Sequence, residues 1–100
     1  MNCSKTWKFN VRNPVRSSQF KRDVKVAEKR GKNMNKLRAL LVLLIEEKPL
    51  PAEYLDHPLK GNWIGYRDSH LEPDWLLIYR ISGDDLYLVR TGSHADIFSS

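Results

Sequence analysis

Residues 75–90 of this 100-residue chain, WLLIYRISGDDLYLVR, contain two strand signals joined by a turn. The continuous apolar run Trp75–Tyr79 is typical of a central strand that is buried on both faces of its sheet. Ser82-Gly83-Asp84-Asp85 favours a turn, and Leu86–Arg90 favours the next strand. The segment therefore predicts a hairpin whose loop is slightly longer than the tightest type.

Two further strands are predicted before this hairpin. Trp63–Arg67 can form one of them, and Glu72-Pro73 marks the turn that follows. Near the start of the chain, Trp7, Phe9 and Val11 alternate with polar residues, which predicts a half-buried strand that Pro14 ends or places at a sheet edge. The proline-rich segment 50–62 favours an irregular crossing that carries His57.

Two amphipathic helices are predicted between the first strand and this crossing. Ser17 or Ser18 can cap a helix that continues to about Arg30. Gly31 breaks that helix, and Asn33 or Asn35 can cap a second one, which Pro49 ends. The apolar faces consist of Phe20, Val24 and Ala27 in the first helix and of Met34, Leu37, Leu41, Leu44 and Ile45 in the second.

The element order β-α-α-β-β-β predicts an α+β fold in a single domain covering residues 1–100. Because the connection between the helices is short, they should form an antiparallel hairpin. Their apolar faces need a sheet to cover, so we expect the N-terminal strand to join a small twisted antiparallel sheet with the helical pair on one face. A chain of 11.7 kDa leaves no room for a separate cofactor domain.

Cysteine usage and hydropathy indicate a cytoplasmic protein. The lone Cys3 excludes an internal disulfide, which favours a reducing compartment. The longest apolar run, residues 39–45, is far shorter than the roughly 20 residues that span a bilayer. A membrane-spanning class is therefore not expected.

The net charge of +5 is distributed unevenly along the chain. Residues 1–48 contain thirteen Lys or Arg and four acids, and residues 49–100 contain four and eight, so the halves carry +9 and −4. A basic surface attracts nucleic-acid phosphates or acidic partners. A solvated helix face explains the charge equally well.

All three histidines lie in short polar clusters in the second half of the chain, at predicted loops or strand ends. The clusters are Asp56-His57-Pro58, Asp68-Ser69-His70 followed by Asp74, and Ser93-His94-Ala95-Asp96. Histidine is the side chain with an ordinary pKa nearest neutrality, so convergence of these clusters would give a proton-transfer site. Spacing alone also fits three unrelated surface histidines, and a zinc site would need ligands from distant segments.

Other residues in these segments have structural explanations. Asp68 and Asp74 can cap turns, and Arg67, Arg80 and Arg90 can pair with acids across strands. Phe98 can enter the core or stack on a base. The aromatic residues of the strands are more typical of core packing; they are Trp63, Tyr66, Trp75, Tyr79 and Tyr87.

Cleavage of RNA is a chemistry that a chain of this size can perform without a cofactor. The 2′-hydroxyl of the substrate is the nucleophile, so the protein supplies a base, an acid for the leaving 5′-oxygen, and charge for the phosphate. Histidine and aspartate can fill the proton-transfer roles. The three histidine clusters can supply the few groups that this reaction needs.

Several motifs in a fixed order resemble one protein family. They are Asp56-His57-Pro58-Leu59-Lys60-Gly61, Trp63, the segment 65–75, Ile78-Tyr79, and Arg90-Thr91-Gly92-Ser93-His94 with Phe98, preceded by the segments 19–25 and 34–37. Together they resemble the YafQ branch of the RelE-type bacterial toxins, over roughly residues 15–98. Residues 1–8 extend beyond the usual start of that family, and their role stays open.

The resemblance implies a RelE-like ribonuclease that enters the ribosomal A site and cleaves messenger RNA without a metal or other cofactor. It also implies an antitoxin encoded beside the toxin, expected to be a DinJ-like ribbon-helix-helix protein with an acidic or amphipathic wrapping segment. Operator DNA would be reached only through that complex. No membrane partner is implied.

The resemblance assigns roles to individual residues of this chain. Its catalytic positions fall on His57, Asp68, His70, Asp74, His94 and Phe98. His70 and His94 would transfer protons, with the choice of acid and base open; His57 and Asp74 would assist, Asp68 would orient, and Phe98 would position a base. Contacts with RNA or the ribosome are expected from Lys21, Arg22, Lys25, Lys29, Arg30 and Trp75.

Two alternatives belong to other functional classes. A non-catalytic basic module could act only through its antitoxin complex on operator DNA. A metal protein could use the histidines as ligands.

Overall fold

The structure, a computed structural model, describes residues 11–98. It is an α+β fold built on one five-stranded sheet, in which β1 (Asn13–Arg16), β2 (His57–Pro58), β3 (Arg67–Glu72), β4 (Trp75–Ser82) and β5 (Asp85–Gly92) take the order β1-β5-β4-β3-β2. Three helices accompany the sheet: α1 (Ser18–Lys29), α2 (Met34–Ile45) and α3 (His94–Phe98). No helix among the described residues is long and apolar enough to cross a bilayer.

The sheet is mixed rather than wholly antiparallel. β1 pairs with β5 in parallel, and every other neighbouring pair is antiparallel. β1 contains Pro14 and lies at the sheet edge, where the missing N–H of proline costs no ladder hydrogen bond. Trp7 and Phe9, on which the strand prediction relied, lie outside the described residues, as does Cys3.

The central strand predicted from the apolar run is confirmed. All five residues from Trp75 to Tyr79 are buried within β4, which has neighbours on both sides. The turn into β5 is tighter than predicted, because Ser82 pairs with Asp85 and only Gly83 and Asp84 lie between them. Gly83 has a φ of 60°, the left-handed conformation that such two-residue turns require.

The strand before this hairpin begins later than the prediction placed it. β3 starts at Arg67, whereas Trp63 belongs to a 3₁₀ turn, Gly61–Trp63. The polar triplet Asp68-Ser69-His70 suggested a turn, but it forms the strand itself because the sheet buries Asp68 and Ser69. His70 is therefore a strand residue. His57 also lies in a short edge strand instead of a loop.

The two helices agree closely with the prediction. The Ser17 hydroxyl accepts a hydrogen bond from the Phe20 amide at 2.9 Å, and Asn33 caps α2 by accepting from the Asn35 amide at 3.0 Å. Gly31 separates the helices with a φ of 80°. Leu40 was not assigned to the apolar face of α2, yet it is fully buried.

The two faces of the sheet carry different groups of apolar side chains. Leu37 and Leu40 of α2 pack with Phe20 of α1 against Leu77 and Leu88 of the sheet. Leu76 and Ile78 point to the other face, where they pack with Ile97 of α3. We call this second face the site face, because the residues below lie on it.

Candidate active site

Strand register places three of the candidate residues side by side on the site face. His57 of β2 pairs with Asp68 of β3, and His70 pairs with Leu76 of β4. Directly paired residues on neighbouring strands point to the same face. His57, Asp68 and His70 therefore share a face with Leu76, opposite the face that α1 and α2 cover.

A short helix that the sequence analysis missed brings the fourth and fifth residues to this face. His94 is the first residue of α3, and Phe98 is its last. The Ser93 hydroxyl accepts from the Asp96 amide at 3.1 Å, and Asp96 accepts from the Ser93 amide at 2.9 Å, which is a capping box with Asp in the acidic position. The S-x-x-D spacing of residues 93–96 was the available signal.

Helix α3 is also tied to α1 by an ion pair. The Arg30 guanidinium donates to both carboxylate oxygens of Asp96, at 2.6 and 3.2 Å. These hydrogen bonds hold the pKa of Asp96 well below its ordinary range. Arg30 was expected to contact RNA, but its guanidinium is engaged in holding the helix that carries His94.

The imidazole rings form a continuous row. The ring centroids of His57 and His70 are 6.0 Å apart, and those of His70 and His94 are 5.9 Å apart. The Phe98 ring follows His94 at 6.3 Å. Phe98 is 39% exposed, so it borders the row while keeping a free surface.

Asp68 lies beneath the row as a buried carboxylate. It is 3% exposed, and its oxygens lie 3.7 Å from Nε2 of His57 and 3.8 Å from Nδ1 of His70. Within residues 11–98, neither Asp68 Oδ1 nor His70 Nδ1 has a hydrogen-bond partner. Burial raises the pKa of Asp68, and the positive charge that the nearby histidines can carry opposes that rise.

Asp74 forms the closest carboxylate contact with a histidine in the site. Its Oδ1 accepts from the His94 amide at 2.9 Å and lies 2.6 Å from His94 Nδ1. These two hydrogen bonds lower the pKa of Asp74, so the carboxylate stays ionised and fixes the ring. His94 Nε2 has no protein partner among residues 11–98 and can face a substrate.

His57 is oriented through its backbone neighbours. Its Nδ1 lies 2.8 Å from the Leu55 carbonyl oxygen, which can only accept, so this nitrogen carries a proton. Nε2 therefore faces Asp68. Leu55 itself has a φ of 48°, which turns the chain so that His57 enters the sheet edge.

Asp56, which precedes His57 in the sequence, anchors this segment from the other side of the sheet edge. Its carboxylate accepts from Arg67 Nε at 2.6 Å, from the Ser69 hydroxyl at 2.5 Å, and from the Tyr79 hydroxyl. Burial and the hydrogen bond to Asp56 raise the pKa of Tyr79 well above its ordinary range. The carboxylate therefore joins β2 to β3 and β4.

Replacing Asp56 by Ala is expected to destabilise the fold by about 2 kcal/mol, because it leaves buried hydroxyl donors without an acceptor. Asp56→Asn keeps one carbonyl oxygen and should cost less. The measurement is the free energy of unfolding in urea. Glu28→Ala, which removes an exposed carboxylate from α1, is the matched control and should change stability by no more than about 0.5 kcal/mol. Equal values for Asp56→Ala and this control would contradict the anchoring role.

The remaining candidates for RNA or ribosome contact include exposed basic residues and one buried tryptophan. Lys21, Arg22, Lys25 and Lys29 are exposed on α1. Trp75 is 1% exposed and donates from Nε1 to the Thr91 hydroxyl at 3.0 Å. It lies in the core next to Asp74 and presents almost no surface to RNA, so the expected contact with a substrate is not available in this structure.

The same histidines could also hold a metal ion. His57, Asp68 and His70 each offer a ligand atom, and these atoms all lie within 4.8 Å of one another. Imidazole nitrogen and carboxylate oxygen are ligands of zinc and copper. The unpartnered Asp68 Oδ1 and His70 Nδ1 fit such an ion.

Comparison with known proteins identifies the family. Residues 12–99 match the family described as bacterial toxin of type II toxin-antitoxin system, YafQ. The chain is 57% identical to the mRNA interferase toxin YafQ of Escherichia coli K12, over 82% of this chain and 90% of that protein. In the E. coli DinJ-YafQ toxin-antitoxin complex, YafQ is 54% identical with a TM-score of 0.83, covering 88% of this chain and 98% of that one.

A more distant structure is relevant to the metal question. A metal-bound toxin from Helicobacter pylori is 39% identical, with a TM-score of 0.80 over 88% of this chain and 99% of that one. The toxin family matches nearly all of the described residues, and the E. coli relative is identical to this chain at more than half of the aligned positions. This chain therefore belongs to the YafQ family of bacterial toxins of type II toxin-antitoxin systems.

Proposed function

We propose that this chain is an endoribonuclease toxin that cleaves messenger RNA in the ribosomal A site and so inhibits translation. The observation that carries the proposal is the row of His57, His70 and His94, with a carboxylate within 4 Å of each ring. The E. coli relative is an mRNA interferase toxin, which supports messenger RNA as the substrate. Its action on ribosomes would place the chain in the bacterial cytoplasm.

The reaction needs two proton-transfer groups on either side of one phosphate. A base removes the proton of the 2′-hydroxyl, whose oxygen forms a bond to phosphorus while the bond to the 5′-oxygen breaks. An acid protonates that leaving oxygen, and the upstream product ends in a cyclic phosphate. The centroids of His70 and His94 lie 5.9 Å apart, so both imidazoles can contact the same phosphodiester group.

The carboxylates of Asp74 and Asp68 support the histidines in different ways. Asp74 holds His94 by Nδ1, so that Nε2 is directed to the substrate and positive charge on the ring is stabilised. Asp68 provides negative charge between His57 and His70. Phe98, beside His94, offers a ring on which a base can stack.

Ribosome binding is assigned to the basic face of α1. Lys21, Arg22, Lys25 and Lys29 are exposed, and α1 lies on the face of the sheet opposite the histidines. The toxin can therefore contact ribosomal RNA phosphates with one face and messenger with the other. Contacts of this kind weaken as salt concentration rises.

The decisive experiment maps cleavage of messenger on translating ribosomes, with purified chain freed from its antitoxin. Cuts confined to A-site codons would support the proposal. Equal cutting of free messenger would remove the ribosome requirement. If no messenger is cut, the chain is a binding module that acts through its antitoxin complex on operator DNA.

The antitoxin partner is proposed to be a DinJ-like protein, because the E. coli relative forms a complex with DinJ. The charge of this chain, +5 overall and concentrated in its first half, favours an acidic wrapping segment. Addition of such an antitoxin should stop cleavage in the ribosome assay.

Metal ions are expected to inhibit cleavage. An ion bound by His57, Asp68 and His70 would occupy the nitrogen lone pairs that accept protons. Treatment with EDTA should therefore leave the cleavage rate unchanged, whereas added Zn²⁺ or Cu²⁺ should lower it. His57→Gln should weaken metal binding measured by calorimetry. Loss of cleavage in EDTA, restored by metal, would show instead that the reaction depends on the ion.

A further inference from the structure

The site face extends beyond the histidines into an aromatic patch that has no role in the chemistry above. We propose that Tyr66, Arg80 and Tyr87, here called the Arg80 patch, bind single-stranded messenger on the 3′ side of the cleaved codon. A base stacks on the tyrosine rings, and the Arg80 guanidinium binds a phosphate. This inference rests on the proposed function and adds a second RNA contact to it.

The patch is assembled by the same register that builds the site. Arg80 of β4 pairs directly with Tyr87 of β5, so both side chains point to one face. Because side chains alternate along a strand, Arg80 shares that face with Leu76 and Ile78. The guanidinium carbon lies 4.7 Å from the Tyr87 ring centroid and 5.9 Å from that of Tyr66.

Arg80 also differs in charge pairing from the other arginines of β3, β4 and β5. Arg67 pairs with Asp56 at 2.6 Å, and Arg90 pairs with Asp23 at 2.8 Å. Within residues 11–98, Arg80 forms no ion pair, and its guanidinium lies over the rings of Tyr66 and Tyr87. A guanidinium that lies over aromatic rings and has no carboxylate partner among these residues is suited to a phosphate.

An unbroken series of ring contacts links the patch to the catalytic histidines. Phe98 lies 6.1 Å from Trp63, and Trp63 lies 5.5 Å from Tyr66, as measured between ring centroids. Along β4, Arg80 is four residues from Leu76, about 13 Å at the rise of an extended strand. One strand of duplex DNA advances about 3.4 Å per nucleotide, so a strand stacked to a similar degree covers this distance in about four nucleotides.

The chemistry favours single-stranded RNA as the occupant and sets its direction. Aromatic faces and one free cation are the elements by which proteins bind single strands without reading their sequence. On the ribosome, the codon before the A site is paired with a transfer RNA. Unpaired bases are therefore those of the cleaved codon and the nucleotides that follow it.

The test compares two messengers on programmed ribosomes, one that ends with the cleaved codon and one that continues beyond it. Base stacking of 1–3 kcal/mol corresponds to about 5- to 150-fold, so the longer messenger should be cut with a kcat/KM about tenfold higher. Arg80→Met, which keeps the apolar stem, should abolish that gain and leave the rate on the short messenger unchanged. Arg80→Lys should retain part of it.

Arg38→Met is the matched control, because it removes an exposed positive charge from α2 on the opposite face. It should preserve the gain from the longer messenger. The inference is overturned if wild type cuts both messengers equally well, a result that needs no variant, or if Arg80→Met with an unchanged melting temperature retains the gain. Absence of cleavage on either messenger would instead refute the proposed function.

Discussion

Replacing His94 by Gln is expected to lower the rate of messenger cleavage by about 10²- to 10⁴-fold, the usual contribution of one proton-transfer group. Glutamine can keep a hydrogen bond to Asp74 but cannot accept and return a proton near neutral pH. The His94 side chain is half exposed, so the substitution should not disturb the core. The measurement is single-turnover cleavage on programmed ribosomes, together with the melting temperature of the variant.

Asp74→Asn provides the companion measurement for this prediction. The amide oxygen can still accept from the His94 amide and from Nδ1, so the ring stays in place while the negative charge beside it is lost. We expect a smaller loss of rate than in His94→Gln, with the double variant no slower than His94→Gln alone because both act on one step. Full activity of His94→Gln would remove His94 from the mechanism.

The parts of the fold that could be predicted are those in which local chemistry and burial agree. Trp75–Tyr79 has no polar residue to place outward, so it had to lie between two strands, and β4 does. Ser17 and Asn33 precede apolar periodicity at the spacing that a cap requires, and both cap helices. These signals depend only on residues close together in the chain.

The predictions that were wrong concern residues whose hydrogen-bond or strand partners lie far away in the sequence. The sequence favoured a turn-capping role for Asp68, but the segment forms a strand in which Asp56, thirteen residues before Ser69, accepts a hydrogen bond from the buried Ser69 hydroxyl. The parallel pairing of β1 with β5 likewise joins residues that are about 72 positions apart. Propensity and periodicity carry no information on such pairs.

In the candidate site, too, the features set by neighbouring residues could be predicted and those set by distant partners could not. Spacing identified three polar histidine clusters but left their convergence open, because register alone determines whether His57 and His70 share a face. The resemblance to the toxin family supplied the set of residues, and the structure places His57, His70, His94 and Phe98 in one row, with Asp68 and Asp74 in contact with the histidines. Neither the spacing nor the resemblance assigned a role to Asp56 or predicted the Arg30–Asp96 ion pair, because these contacts hold other residues in place.

Asp68→Asn is expected to reduce the rate of messenger cleavage by about 10²-fold, the lower end of the usual contribution of a proton-transfer group. The same substitution should make the fold more stable at neutral pH. The ionised carboxylate is buried, and its Oδ1 has no hydrogen-bond partner in the described part of the chain, so the native state tolerates the charge only at a cost in free energy. The asparagine amide carries no charge and can donate toward His70 Nδ1. Activity falls because an amide cannot stabilise positive charge on His57 and His70 during proton transfer.

The pH dependence of stability separates this explanation from a simple packing effect. Because burial raises the pKa of Asp68 in the native state, the cost of its charge is absent below the unfolded-state pKa of about 3.9. It grows as pH rises from there through the native pKa and is complete above it. The stability advantage of Asp68→Asn over wild type, measured by urea unfolding, should therefore increase as the pH rises above about 4. An advantage that is constant with pH, or a variant less stable than wild type at pH 7, would show that the ionised Asp68 is not destabilising and that its burial is compensated by contacts with the histidines.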